Sequence, residues 1–177
     1  LLDSWIEQRM AEVPPRPRRR TQLSTAGDVH HLEDLAAPLL RGPFANDFHD
    51  RPVPSMTWGK RGRSRTRRSL RLGSFDVEAN LVRIHRVLDQ RAVPAWFVRY
   101  VLFHEILHAA HPPVREGSRW VHHGPEFRRR ERQYPDYPRA LEWEEENLPR
   151  LIRSARSGVP ARVRPSDLAP SQATFDF

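Results

Sequence analysis

A chain of 177 residues is long enough for one core-bearing domain with loose ends, since single domains usually run to about 100–200 residues. It contains no cysteine, which excludes disulfides, thiolate metal sites and cysteine nucleophiles, so any metal must be held by histidines and carboxylates. The 30 basic residues, all arginine except Lys60, outnumber 22 acidic ones and leave a formal charge of +8, a surplus that favours polyanionic partners and nucleic acid first among them. A GC-rich genome would also write arginine for lysine, but it would not create the net charge. No stretch approaches the roughly 18 apolar residues of a membrane span, and the first residues lack the plan of a signal peptide. The expected location is therefore cytoplasmic, at the nucleoid if DNA is the partner, although a start at Leu1 rather than methionine points to residues upstream.

Hydrophobic residues make up 38% of the chain, and its 17 prolines predict segments that do not pack. The ends are the candidates. Residues 1–27 pass from a short apolar stretch into Pro14-Pro15-Arg16-Pro17-Arg18-Arg19-Arg20, where prolines deny a helix and arginines repel one another, so a flexible basic arm is expected. Asp28 suits the N-cap of a helix carrying Leu32, Leu35, Ala36, Leu39 and Leu40, which Gly42-Pro43 ends. Three β-type segments follow: Met56-Thr57-Trp58, Ser69-Leu70-Arg71-Leu72 and Leu81-Val82-Arg83-Ile84-His85. They predict a small antiparallel sheet.

After Pro94, residues 95–110 are apolar almost all round and predict a buried helix that Pro112-Pro113 stops. Gly124-Pro125 opens another helix, which runs through Phe127 until Pro135. A last helix, from about Arg139 to Arg156, carries Glu142, Glu144, Glu145 and Glu146 early and Arg150, Arg153 and Arg156 late, in keeping with the helix dipole; Pro149 is a point where it would kink or divide. Beyond Gly158 the composition predicts a disordered tail over residues 158–177, leaving 28–157 as the domain. The fold class expected is α+β, a small sheet packed on helices.

His104-Glu105-Ile106-Leu107-His108 is an H-E-x-x-H sequence within the predicted buried helix. Residues four apart lie about 40° apart around a helix, so both imidazoles can converge on one zinc ion. Glu105 is displaced by about 100°, beside the metal rather than on it, where a carboxylate can take a proton from an activated water. The bland alternative is a helix with two hydrogen-bonded histidines, but two titratable rings and an acid are costly to bury in an apolar helix. A catalytic zinc needs a third protein ligand. The spacing of the extended metzincin motif fails, since its Gly and His positions hold His111 and Val114. Glu126 and Glu131 remain candidates, and His123 is the strongest, because Gly124 permits a tight turn and Pro125 begins a helix that would fix the imidazole.

His104 to His108 followed by His123-Gly124-Pro125-Glu126-Phe127 resembles the SprT-like (Spartan-related) zinc metalloprotease family. The likeness extends over roughly residues 28–155, including Trp58, the arginine-rich hairpin and Leu70-Arg71-Leu72. It implies a single zincin-like metalloprotease domain and one catalytic Zn2+ held by His104, His108 and His123, with Glu105 as general base. The implied activity is that of an endopeptidase on DNA-associated or DNA-crosslinked proteins. Many bacterial members carry a cysteine zinc ribbon after the protease core, and this chain has none.

Arg61, Arg63, Arg65, Arg67, Arg68 and Arg71 crowd the predicted hairpin before the catalytic helix, and Trp58 lies close by as a surface for stacking a base. A solvated hairpin whose charges protect a sheet edge would have the same composition. His111 and His122 flank the ligands and read as surface residues; Tyr134 and Tyr137 are candidate oxyanion donors that no spacing singles out. The terminal Gln172-Ala173-Thr174-Phe175-Asp176-Phe177 resembles the short peptides that dock on bacterial sliding clamps. Two other functions fit the same residues: a general cytoplasmic metallopeptidase without DNA dependence, and a non-catalytic DNA-binding module with a structural zinc.

Overall fold

The computed structural model describes residues 22–60, 62 and 69–162. In chain order these form helix α1 (Leu32–Arg41), strands β1 (Ser55–Trp58), β2 (Gly73–Asp76) and β3 (Leu81–Ile84), a 3-10 turn (Arg86–Leu88), helix α2 (Ala95–Ala110), a hairpin of β4 (Val114–Glu116) and β5 (Arg119–Val121), and helices α3 (Pro125–Arg132) and α4 (Tyr137–Ser157). The architecture is mixed α+β. No helix among the described residues is long and apolar enough to cross a membrane.

Helix α2 forms the centre because it is apolar almost all round: twelve of its sixteen residues are buried. Leu32, Leu35, Ala36 and Leu39 of α1 are buried in the same core as Trp96, Phe97 and Phe103 of α2 and Trp143 of α4. The Phe97 and Trp143 rings lie 4.1 Å apart, locking α4 onto α2. Strand β3 is the middle of the sheet, so Val82 and Ile84 are fully buried, as a strand flanked on both edges and covered by a helix requires.

Several elements differ from expectation. The sheet is mixed rather than antiparallel, with β1 parallel to β3 and β2 antiparallel to it. Leu72 is buried as its alternation predicts and accepts from the His85 N–H at 2.7 Å, but regular pairing starts only at Gly73, since the chain beyond Ile84 turns into the 3-10 segment. Helix α1 starts at Leu32 with His31 as N-cap, not Asp28. The Asp28 backbone N–H instead donates to Asp89, as do those of Val29 and His30. Residues 22–27, assigned by sequence to the arm, run along the domain, where Ser24 bonds Thr57 and the Thr25 carbonyl accepts from the Leu32 N–H. The rest of the arm, residues 1–21, and the tail from 163 on lie outside the described residues. Helix α4 continues through Pro149 undivided, and the β4–β5 hairpin was not legible as a pair of strands.

Candidate metal centre

His104 and His108 project from one face of α2, each partly exposed at the floor of a cleft of about 380 Å3. Glu105, between them in sequence, is only 6% exposed and turns toward β2. Strand β2 passes so near that a Cβ on Gly73 would lie 2.6 Å from the Glu105 Cγ and Oε1. Glycine is required by this approach, not by backbone angle. Glu105 has no hydrogen-bond partner among the described residues, so a buried carboxylate is left facing the cleft.

His123 arrives from the other side, after β5 and just before the Gly124 N-cap of α3. Its Nε2 lies 3.1 Å from that of His108, and the ligating nitrogens of His104, His108 and His123 all lie within 4.8 Å of one another. These three side chains could hold a metal ion. A tetrahedral ion with bonds of about 2.0–2.1 Å keeps its ligand nitrogens about 3.3 Å apart, close to the spacing of His108 and His123. Phe127, buried in the first turns of α3, backs all three imidazoles, with ring centroids 5.3, 4.6 and 4.7 Å from those of His104, His108 and His123.

Of the two carboxylates weighed as third ligand, Glu126 is exposed and pairs with Arg129 at the surface. Glu131 takes a different place: its Oε1 lies 2.7 Å from His104 Nδ1 and also accepts from the Tyr100 hydroxyl. Bonding at Nδ1 leaves His104 Nε2 for an ion and fixes the ring orientation, a standard support for metal-binding histidine. His111 is outside the cluster, 3.0 Å from Arg130 Nη1, while His122 is exposed on the cleft wall. Tyr134 is buried among Tyr100 and Phe103, and neither it nor Tyr137 lines the cleft.

The electrostatics suit metal binding. Burial, then the neighbouring His104 and His123, push His108 down to about 3, and burial likewise lowers His123. Both are neutral near pH 7, the form that ligates. Burial would lower His104 too, but the hydrogen bond to Glu131 and the nearby carboxylates raise it instead. Burial raises Glu131, and the His104 contact more than offsets that, holding it below its ordinary range. Burial pushes Glu105 up to about 7, against the opposing charges of His104 and Arg71.

Arg71 lines the cleft beside Glu105. Of the arginines predicted to contact DNA it alone is described; Arg61, Arg63, Arg65, Arg67 and Arg68 lie outside the described residues, as does Gln172 to Phe177. Trp58 is 5% exposed, with the Arg86 guanidinium 5.7 Å from its ring, so no base can reach it. Sequence reasoning weighed Glu131 only as an alternative third ligand, not as a partner of His104, and passed over Gly73 altogether. Phe127 was named only as part of the His123-to-Phe127 segment, and its apolar ring beside the predicted ligand was the available signal. No protein-family model matches this chain, and neither a curated protein nor a solved structure matches it.

Proposed function

We propose that the chain is a zinc-dependent endopeptidase with a zincin-like domain of the SprT-like type, acting on DNA-associated or DNA-crosslinked proteins. The observation that carries the enzymatic reading is the convergence of three histidine nitrogens at an open cleft beside a buried carboxylate that has no hydrogen-bond partner among the described residues. Three imidazoles without sulfur are a donor set that would suit a catalytic zinc. Zinc bound there supplies a Lewis acid that polarises a peptide carbonyl and lowers the pKa of water to about 7.

Glu105 takes the proton from the attacking water and returns it to the departing amine. Burial raises its carboxyl above the ordinary range, which strengthens it as a proton acceptor. His104 is held in one orientation by Glu131, which keeps Nε2 aimed at the ligand cluster. The structural-zinc alternative leaves Glu105 unexplained, since an unbonded buried carboxylate is costly unless it has chemistry to do. The support for DNA is the net charge of +8 and Arg71 at the cleft.

Two variants test the enzyme. Glu105→Gln should retain one zinc per chain and lose about 10²–10⁴-fold in proteolytic rate, whereas His123→Ala should lose the zinc itself. Near wild-type cleavage by the first, or full zinc occupancy in the second, overturns the assignment of that residue. Cleavage of crosslinked and free substrate, each with and without DNA, tests the substrate class: equal rates in all four leave a general peptidase.

A further inference from the structure

The β4–β5 hairpin lies between two of the histidines of the metal centre, and both its ends touch the cleft, at Pro113 and His122. Its turn is tight because Gly117 takes φ +62, a conformation that side chains disfavour. On this hairpin Trp120 is 57% exposed, whereas Trp58, Trp96 and Trp143 are each about 5% exposed or less. The exposed indole offers a flat, rigid aromatic face on which a ligand ring can stack.

Its neighbours indicate which. Register pairs Trp120 with Arg115, so ring and guanidinium share one face of the ribbon. The Arg115 Nε donates to the Gly117 carbonyl at 3.0 Å, which orients the guanidinium and leaves its terminal amino groups for a ligand. Further along the chain, α3 carries the exposed Arg128 and Arg132, and its exposed Glu126 is paired with Arg129. An exposed aromatic ring beside an oriented guanidinium matches the way single strands are bound: a base stacks on the ring and a phosphate meets the arginine.

We propose that a single-stranded nucleic acid binds across the β4–β5 hairpin, with one base stacked on Trp120 and an adjacent phosphate on Arg115. This deepens the DNA part of the proposed function and rests on it. The role imagined for Trp58 passes to a residue 62 positions along the chain, on the opposite side of the catalytic helix in sequence. A strand held there lies at the rim of the cleft, so a protein attached to it is presented to Glu105.

The test uses the full zinc-loaded chain and a fluorescent oligothymidylate of about 20 nucleotides, a length that covers a site of about 4–16. Trp120→Ala should weaken binding on the order of tenfold, as loss of one stacked base does, while Trp120→Phe keeps most of the affinity. Arg115→Gln should reduce the slope of log affinity against log salt by about 0.7, the amount for one single-strand phosphate contact. Arg119→Gln, on the other face of the ribbon, should change it less. Zinc content and circular dichroism serve as controls for folding. Wild-type affinity in Trp120→Ala overturns the hairpin site while DNA binding by the chain stands. No binding by the wild type at low salt removes the DNA reading and the hairpin site together. If Trp120→Ala instead raises KM for an unstructured protein without DNA and leaves oligonucleotide affinity intact, the hairpin anchors polypeptide and the proposal falls.

Discussion

Gly73 sets the space available to Glu105, the proposed general base, without touching a substrate. Because an added methyl would sit 2.6 Å from the Glu105 side chain, Gly73→Ala must move the flexible end of that side chain rather than the strand. The expected result is a folded protein with full zinc content and a rate lower on the order of 10²-fold, the effect of a misplacement of about 1 Å. Steady-state peptidase assays beside metal analysis check it; a wild-type rate would mean that Glu105 finds an equivalent position. His104, Glu105 and His108 were legible because a helix of known period turns sequence spacing into direction, and His123 because a Gly-Pro helix start follows it. Gly73 and Glu131 were not, since each acts across a fold: Glu131 meets His104 from 27 residues away on another helix. No local pattern encodes that distance.

Helices were easier to foresee than the strand pairing and the segments that join them. The α2 limits follow from continuous apolar composition ended by prolines, whereas β2 begins where its partner β3 allows, a matter of register rather than of composition. The lead into α1 depends on a remote acid as well. Asp89, its side chain fully buried, accepts backbone N–H groups from Asp28, Val29 and His30 at 2.6, 2.9 and 3.0 Å and meets Arg86 at 3.3 Å. Burial raises its carboxyl, but those donors and Arg86 more than offset it and hold the group below the usual range. A folded pKa below the unfolded value of about 3.9 means that this stabilisation is present above about pH 4 and fades as pH falls through the folded pKa. Asp89→Asn should lower stability at pH 7 by about 1–3 kcal/mol and lessen the loss of Tm in acid. Thermal melts from pH 7 down to about pH 2.5 decide it; an unchanged acid limb in the variant would assign that limb to other carboxylates.

At the scale of the whole molecule, the α+β class was foreseen, and the mixed sheet and the hairpin over the cleft were not, because they depend on which edges meet. The three-histidine cluster spans α2 and the segment leading into α3, so an ion bound there would join parts of the chain that unfolding separates. Stripping zinc with a chelator should therefore lower stability by about 2.7 kcal/mol relative to metal at a hundredfold excess over its Kd, and so lower Tm by on the order of 5 °C or more. Calorimetry of loaded and stripped protein measures it, and coincident melts would mean that the cluster does not hold zinc or that the unfolded chain binds it equally well. The strip need not dismantle the site. Phe127 stands behind all three imidazoles as a common wall, and Glu131 grips one of them, so packing and a hydrogen bond arrange the rings without an ion. An ion then enters a socket whose rotamer entropy was surrendered during folding rather than at capture, and loading is a docking event instead of a folding transition.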